Sequence, residues 1–181
     1  MEKNDESRGK ILKVAIVGPE STGKTVLAET LAQHYSTEWV PEYARDYLDR
    51  INRPYTLEDL ETIALEQLNL EDRLAKKVKN VLICDTNLLV IKIWSEFKYG
   101  FCPEWIRNEV QSRYYDIHLL TYIDIPWEED PQREHPHKRQ FLYDLYFNEL
   151  QKIGVAFLEI KGSPEKRLAR SIEAINFLLE K

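Results

Sequence analysis

The sequence has few glycines and cysteines, no long apolar run and no excess of basic residues. Its 181 residues include six glycines and two cysteines, and the net charge is −6. No uninterrupted apolar run exceeds four residues, so no membrane-spanning helix and no membrane partner are expected. The acidic balance argues against nucleic acid as a partner, because no basic stripe is present to neutralise phosphates.

The two cysteines, Cys84 and Cys102, do not have the spacing of a metal site, and a chain of this length does not need a disulfide. We therefore expect free thiols and a cytoplasmic protein. The first nine residues are polar and lack the apolar stretch of a signal peptide. Residues 1–9 are predicted to be a flexible polar tail, and residues 10–181 a single domain.

Short apolar runs alternate with amphipathic segments along the chain. Strands are predicted at 11–17, 37–40, 81–84, 117–123 and 155–160. Helices are predicted at 23–35, 56–78, 88–97 and 103–114, with an amphipathic stretch to 152 and a last helix from 164. Thr56 with Asp59 resembles a capping box, and Ser163-Pro164 is typical of a helix start. This alternation predicts an α/β fold, a three-layer sandwich with a parallel sheet of about five strands.

Residues 18–25 read Gly-Pro-Glu-Ser-Thr-Gly-Lys-Thr and fit the phosphate-binding pattern G-x-x-x-x-G-K-[ST], the P-loop. The motif lies between a predicted strand and a predicted helix, so backbone N–H groups and the helix dipole would bind phosphates. We expect Lys24 to contact the β- and γ-phosphates of ATP and the Thr25 hydroxyl to bind Mg²⁺. The predicted nucleotide-binding residues here are Gly18, Pro19, Glu20, Ser21, Thr22, Gly23, Lys24, Thr25 and Val26.

Two absences separate this P-loop protein from regulatory GTPases. No glycine stands at the third position after Asp85, and no Asn-Lys-x-Asp sequence that would read guanine occurs. A small-molecule kinase needs instead a lid that carries arginines, and the polar segment 126–139 suits that role. A regulatory module that binds ATP or GTP remains the alternative from another functional class.

From residue 14 onward the chain resembles the ribosylnicotinamide kinase domain of the bifunctional NadR proteins, which is a P-loop kinase. The more specific matching segments are Glu42-Tyr-Ala-Arg45 and Pro126-Trp-x-x-Asp-x-x-Arg133; segments 63–67 and 83–87 also match. The resemblance implies a P-loop NTPase fold with a helical lid segment. It also implies phosphorylation of the 5′-hydroxyl of nicotinamide riboside with ATP and Mg²⁺, which gives nicotinamide mononucleotide. We expect the adenylyltransferase half of the bifunctional proteins to be absent.

Two positions depart from the family's pattern. Asp85-Thr86-Asn87 stands where the family usually has Asp-Thr-Asp, which removes one carboxylate near the substrate. Asp130-Pro131 stands where Asp-Gly is common, which should stiffen the lid. Both changes bear on the identity of the acceptor, so a kinase for another nucleoside or nucleotide is the alternative within enzymes.

Polar residues that directly follow the strands are the candidate catalytic groups, because parallel sheets bind ligands at that edge. Asp85 could hold Mg²⁺ together with Thr25, or accept the proton of the attacking hydroxyl, or merely cap the next helix. Glu42 is the second candidate base and could also bind ribose. Arg45 could hold a phosphate, and its alternative is a surface ion pair with Glu42.

The other substrate-binding candidates are Tyr43, Asn87 and Gln67. Asn87 could bond a ribose hydroxyl or cap the next helix. Gln67 could reach the amide of the substrate or lie on a solvated helix face. The aromatic candidates for stacking on a flat cationic ring are Tyr43, Trp94, Tyr99 and Trp127.

Arg133 and Arg139 lie in the segment that could close over ATP, and both are predicted to bind nucleotide. Guanidinium donors would stabilise the negative charge that develops on the transferring phosphoryl group. Arg133 is the first candidate, and Lys138 and Arg139 follow it; a solvated charged loop is the alternative. The predicted catalytic residues are therefore Lys24, Glu42, Asp85 and Arg133.

Overall fold

The computed structural model describes residues 11–181, and the predicted tail at 1–9 lies outside the described residues. The strands are β1 Leu12–Val17, β2 Trp39–Val40, β3 Val81–Asp85, β4 Ile117–Thr121 and β5 Phe157–Ile160. The helices are α1 Lys24–His34, α2 Tyr43–Ile51, α3 Leu57–Ala75, α4 Leu88–Tyr99, α5 Glu104–Ser112, α6 Arg139–Ile153 and α7 Pro164–Leu179. All strand pairs are parallel, and their spatial order is β2-β3-β1-β4-β5.

The central strand β1 is apolar except for Lys13, because helices cover both faces of the sheet. Val14 and Ile16 pack in the cluster that includes side chains of α1 and α7. Ala15 and Val17, which point to the opposite face, pack in clusters that include side chains of α3, α4 and α6. This arrangement confirms the predicted three-layer fold with a five-stranded parallel sheet, and it brings the carboxyl ends of β1, β3 and β4 together.

Both helix starts predicted from capping signals are confirmed. The Thr56 hydroxyl accepts a hydrogen bond from Asp59 N, and the Asp59 carboxylate accepts one from Thr56 N at 2.8 Å. The Ser163 hydroxyl accepts from Lys166 N at the start of α7. Each cap joins groups that are three residues apart in the chain, so the local sequence is sufficient to predict it.

Two segments differ from the sequence-based assignment. Helix α2 was not predicted: it has only nine residues, and its apolar side chains, of which only Ala44 is fully buried, pack against α3. The lid segment 126–139 is irregular except for one 3₁₀ turn at Pro136–Lys138, and helix α6 begins at its end. Three prolines in the segment lack the N–H that a continuous helix needs, which accounts for the irregular backbone.

None of the helices in residues 11–181 is both long and apolar enough to cross a membrane. Cys84 and Cys102 are both buried and unpaired, which confirms the expected free thiols.

We expect His118, buried on β4, to make the protein sensitive to acid. Asn87 Oδ1 accepts from Leu89 N, so its Nδ2 donates to His118 Nε2 at 3.2 Å, and this requires a neutral ring. Burial lowers the pKa of His118 to about 4. The unfolded chain therefore takes up the proton first, and the contribution of His118 to the free energy of unfolding should fall by about 2 kcal/mol between pH 7 and pH 4.5.

Urea denaturation of the protein and of His118→Gln at both pH values measures this contribution. The difference in free energy of unfolding between the two proteins should shrink by about 2 kcal/mol at pH 4.5. A difference that is the same at both pH values would contradict the assignment.

Candidate active site

The P-loop joins β1 to α1 and has the backbone conformation of a phosphate cradle. Gly18 has a φ of +141°, and a Cβ there would lie 2.6 Å from Thr121 Oγ1 on β4, so only glycine fits. Gly23 (φ +76°) and Ser21 (φ +54°) also have positive φ. The Thr22 hydroxyl contacts Pro19 O at 2.8 Å and Thr121 Oγ1 at 2.7 Å, which fixes the loop to β4. The N-terminal amides of α1 then form an anion-binding end.

Asp85 lies beside the P-loop because β1 and β3 are neighbours. The Thr25 hydroxyl donates to Asp85 Oδ2 at 2.6 Å, whereas buried Oδ1 has no hydrogen-bond partner among the described residues. Burial raises the pKa of Asp85 to about 6, and the negative charge of Glu42 acts in the same direction. The cap of α4 is Asn87, so the helix-cap interpretation of Asp85 is wrong.

Thr25 and Asp85 have the oxygen donors that Mg²⁺ prefers, and the unpartnered Asp85 Oδ1 is available as a ligand. Residues 11–181 contain no group of three or more His, Cys, Asp or Glu side chains that could hold a metal ion alone. A bound Mg²⁺ would therefore take its remaining ligands from phosphate and water oxygens, as magnesium commonly does. The residues present fit such a shared site.

Gln67 fixes the backbone on either side of Glu42. Its Oε1 accepts from Tyr43 N at 2.8 Å, and its Nε2 donates to Pro41 O at 3.1 Å. The side chain is only 3% exposed, so the interpretation as a solvated helix face is wrong. Both polar groups of the Gln67 side chain are bonded to the backbone. Contact of Gln67 with the amide of the substrate stays a prediction, and these two hydrogen bonds argue against it.

We expect Gln67→Leu to destabilise the protein by about 1–3 kcal/mol, because the backbone groups of Pro41 and Tyr43 lose the hydrogen bonds that the buried glutamine gives them. Asn69→Leu, at an exposed position on the same helix, is the matched control and should change stability by less than about 0.5 kcal/mol. Urea denaturation measures both values. Equal effects of the two variants would contradict this role of Gln67.

The lid segment lies against the P-loop. Arg133 Nη1 donates to Glu128 O at 2.6 Å and lies 3.3 Å from Ser21 Oγ. Arg139 Nη2 donates to Ser21 O and to Ile125 O, at 2.8 and 2.9 Å. Arg133 therefore lies at the phosphate loop, whereas Arg139 holds the loop to the segment before the lid.

On its other side the lid contacts helix α2. Arg45 Nη1 pairs with Asp130 at 2.8 Å, and Gln132 Nε2 donates to Arg45 O at 3.1 Å. Arg45 thus forms its ion pair with Asp130 of the lid. The alternative interpretation of Arg45 was a surface ion pair with Glu42. The lid spans the distance from the P-loop to α2.

One cavity of about 610 Å³ lies under the lid and joins the P-loop to α2 and α4. All nine nucleotide-binding residues predicted at 18–26 line it, as do Glu42, Arg45, Trp94 and Arg133. An apolar wall that the motifs did not indicate completes it: Leu48, Val90, Ile93, Phe97, Leu142 and Tyr146. Trp94 is held by a hydrogen bond from its Nε1 to Tyr55 Oη, at 2.9 Å. The lining of the cavity therefore combines charged groups of the P-loop, α2 and the lid with apolar side chains.

Several predicted residues do not line this cavity: Tyr43, Gln67, Asp85, Asn87, Tyr99, Trp127 and Arg139. Asp85 lies behind Thr25, which lines the cavity and donates a hydrogen bond to the Asp85 carboxylate. Asn87 is buried, and its Oδ1 accepts from Leu89 N, which confirms the interpretation as a helix cap. A ribose contact by Asn87 stays a prediction that its burial disfavours.

Arg167 is a site residue that the sequence reasoning missed. It is 3% exposed, and its Nη1 donates to Thr22 O of the P-loop at 2.7 Å. Its Nη2 donates to Tyr122 O at 2.9 Å and pairs with Asp124. The signal for it was an arginine on the inward face of α7, one residue before Leu168. It holds the P-loop to the end of β4.

Comparison with known proteins agrees with this geometry. Residues 13–167 match the family model described as AAA domain (AAA_28). The trifunctional NAD biosynthesis/regulator protein NadR of Salmonella typhimurium is 25% identical over 175 residues, 92% of this chain and 42% of the relative. The chain thus spans less than half the length of that relative.

Two solved structures have the same fold. The crystal structure of a NadR protein in complex with NR has a TM-score of 0.82 at 18% identity, over 96% of this chain and 53% of the other. A NadR protein in complex with NAD and AMP-PNP has a TM-score of 0.76 at 18% identity, over 92% and 49% of the two chains. Because the family model spans most of the sequence, this chain belongs to the AAA domain family AAA_28.

Proposed function

We propose that the chain is a kinase that transfers the γ-phosphoryl group of ATP to the 5′-hydroxyl of nicotinamide riboside, which gives nicotinamide mononucleotide. The observation that carries the proposal is the cavity that joins the P-loop, the Glu42 carboxylate and an apolar wall under one lid. A nucleoside that packs against the apolar wall would share this cavity with the phosphates that the P-loop binds. The NadR relatives, one solved with NR and one with AMP-PNP, support this assignment.

The residues of the cavity divide the chemistry between them. The acceptor oxygen attacks the γ-phosphorus, the bond to the β–γ bridging oxygen breaks, and the acceptor proton passes to a carboxylate. Glu42 lines the cavity and is our candidate for that base. Asp85, which is buried and bonded to Thr25, is better placed on the metal side. Lys24 and Arg133 stabilise the negative charge on the phosphoryl oxygens.

Magnesium, when bound at Thr25 and Asp85, would neutralise charge on the triphosphate. Lys24 Nζ donates to Pro19 O at 2.8 Å, so it lies over the loop. From there Lys24 Nζ can donate to a phosphate oxygen in place of the Pro19 carbonyl. The chain's own contribution is thus a preformed cradle with a movable cation.

We also propose that residues 10–181 form one kinase domain with its lid at 126–139. The supporting feature is the cavity of about 610 Å³ within the fold that runs from β1 to α7. A cytoplasmic location, with neither nucleic acid nor a membrane as partner, stays a prediction. The two free buried thiols are consistent with it.

Incubation of the protein with Mg-ATP and a panel of nucleosides, followed by mass spectrometry, tests the proposal. Nicotinamide riboside should be phosphorylated with a kcat/KM about 100-fold above that of the other nucleosides, a ratio within reach of one shaped site. Turnover of a different nucleoside would show that the protein is a kinase but that nicotinamide riboside is not its substrate. Tight ATP binding without transfer to any acceptor would favour the regulatory alternative.

A further inference from the structure

The side chain of Glu20 joins the P-loop to the lid. Its Oε2 accepts hydrogen bonds from two consecutive lid amides, Glu134 N at 3.1 Å and His135 N at 3.2 Å. A P-loop binds phosphate with its backbone, so this side chain is not needed for that task. A carboxylate that accepts from two backbone N–H groups forms charge-assisted bonds, which are about twice as strong as neutral ones.

The lid depends on such external contacts because it has little structure of its own. Within it, Arg133 N and Gln132 N bond only to Asp130, in a single turn. Asp130 in turn pairs with Arg45 of α2. Arg133 therefore lies between contacts with the P-loop, made by Glu20 and Ser21, and a contact with α2, made by Arg45.

The charge of Glu20 is unfavourable for nucleotide binding. Glu20 lines the cavity close to where a polyphosphate anion would bind, and like charges repel there. A residue selected only for ATP affinity would not be acidic at this position. The carboxylate instead accepts hydrogen bonds from two amides of the lid.

We propose that Glu20 is a positioning residue that holds the lid against the P-loop, so that Arg133 reaches the transferring phosphoryl group. This inference rests on the proposed kinase function for its catalytic consequence. The lid contact itself is independent of that function. Glu20 does not touch the reacting atoms and acts through Arg133.

Glu20→Ala tests the proposal by a separation of kcat from ATP affinity. The variant should lose about tenfold in kcat, because a small misplacement of a charge-stabilising group is costly. Its Kd for ATP should stay the same or decrease, since a negative charge is removed. Glu20→Gln keeps one acceptor oxygen and should recover most of the activity. Glu29→Ala, with the same charge change at an exposed position on α1, is the control.

A double-mutant cycle with Arg133 separates positioning from general damage to the fold. In the Arg133→Ala background, Glu20→Ala should lower kcat by less than about twofold, because the group it positions is already absent. Equal effects in both backgrounds would overturn the proposal. So would weaker ATP binding with kcat unchanged.

Hydrogen exchange gives a readout that needs no enzymatic activity. In Glu20→Ala the amides of residues 134 and 135 should exchange about tenfold faster than in the parent protein, and in Glu29→Ala at the parent rate. Unchanged exchange in Glu20→Ala would reject the lid contact. If the alanine variant does not fold, Glu20→Leu, which is similar in size to glutamate and has no acceptor oxygen, takes its place in this measurement. If the parent protein transfers phosphate to no nucleoside, the proposed function fails, while exchange still decides the role of Glu20.

Discussion

Replacement of Arg133 by alanine should lower kcat for phosphoryl transfer by about 1000-fold, while the Kd for ATP changes by less than about threefold. The guanidinium lies at Ser21 of the P-loop and lines the cavity. Its charge is needed most when negative charge develops on the phosphoryl oxygens, so its loss affects the transition state more than the ground state. Initial rates and ATP titration by calorimetry give the two quantities.

Arg133→Lys sharpens this prediction. Lysine keeps the positive charge but not the planar donor pair, so about a tenfold to hundredfold loss of kcat should remain. Arg107→Ala, at an exposed position on α5, controls for loss of one positive charge and should leave both quantities unchanged. A fall in ATP affinity as large as the fall in kcat would show that Arg133 serves binding alone, as in a regulatory module.

The features that could be predicted from the sequence are those written in neighbouring residues. The P-loop motif, the Thr56 cap and the apolar strand at 81–84 each depend on a few consecutive side chains. Their combination was sufficient to predict the parallel sheet and the edge at which the site lies. The neighbourhood of Thr25 and Asp85 followed from that edge.

The features that could not be predicted from the sequence depend on contacts between residues far apart in the chain. Gln67 bonds to the backbone near Glu42, 24 to 26 residues away, and Arg167 reaches Thr22 across 145 residues. A single sequence without tertiary contacts cannot distinguish a glutamine on a solvated helix face from one that packs under a loop. Helix α2 was missed for the same reason, because its position depends on α3 and the lid.

Asp85→Asn should have opposite effects on activity and on stability. The neutral amide is a poor Mg²⁺ ligand, so kcat/KM should fall by at least about 100-fold. The change nevertheless removes a buried charge whose neighbours include the carboxylate of Glu42. Without Mg²⁺, the variant should therefore be more stable than the parent protein at pH 7.

The sign follows from the pKa of Asp85, which is about 6 in the folded protein against 3.8 for an ordinary aspartate. The folded state keeps the proton where the unfolded chain has released it, so stability is lost as pH rises from 4 to 6. At pH 7 the penalty is about 3 kcal/mol, and an amide group with imperfect partners would regain about 1–2 kcal/mol of it. At pH 4 the advantage of the variant should disappear.

Urea denaturation in EDTA at pH 4 and pH 7, together with initial rates in Mg²⁺, measures both effects. Asp144→Asn, an exposed change of the same type on α6, should alter neither by more than about 0.5 kcal/mol or twofold. A variant that is less stable than its parent at pH 7, or that keeps full activity, would refute the assignment. The combination of higher stability and lost activity is expected where a buried carboxylate is retained for chemistry and not for folding.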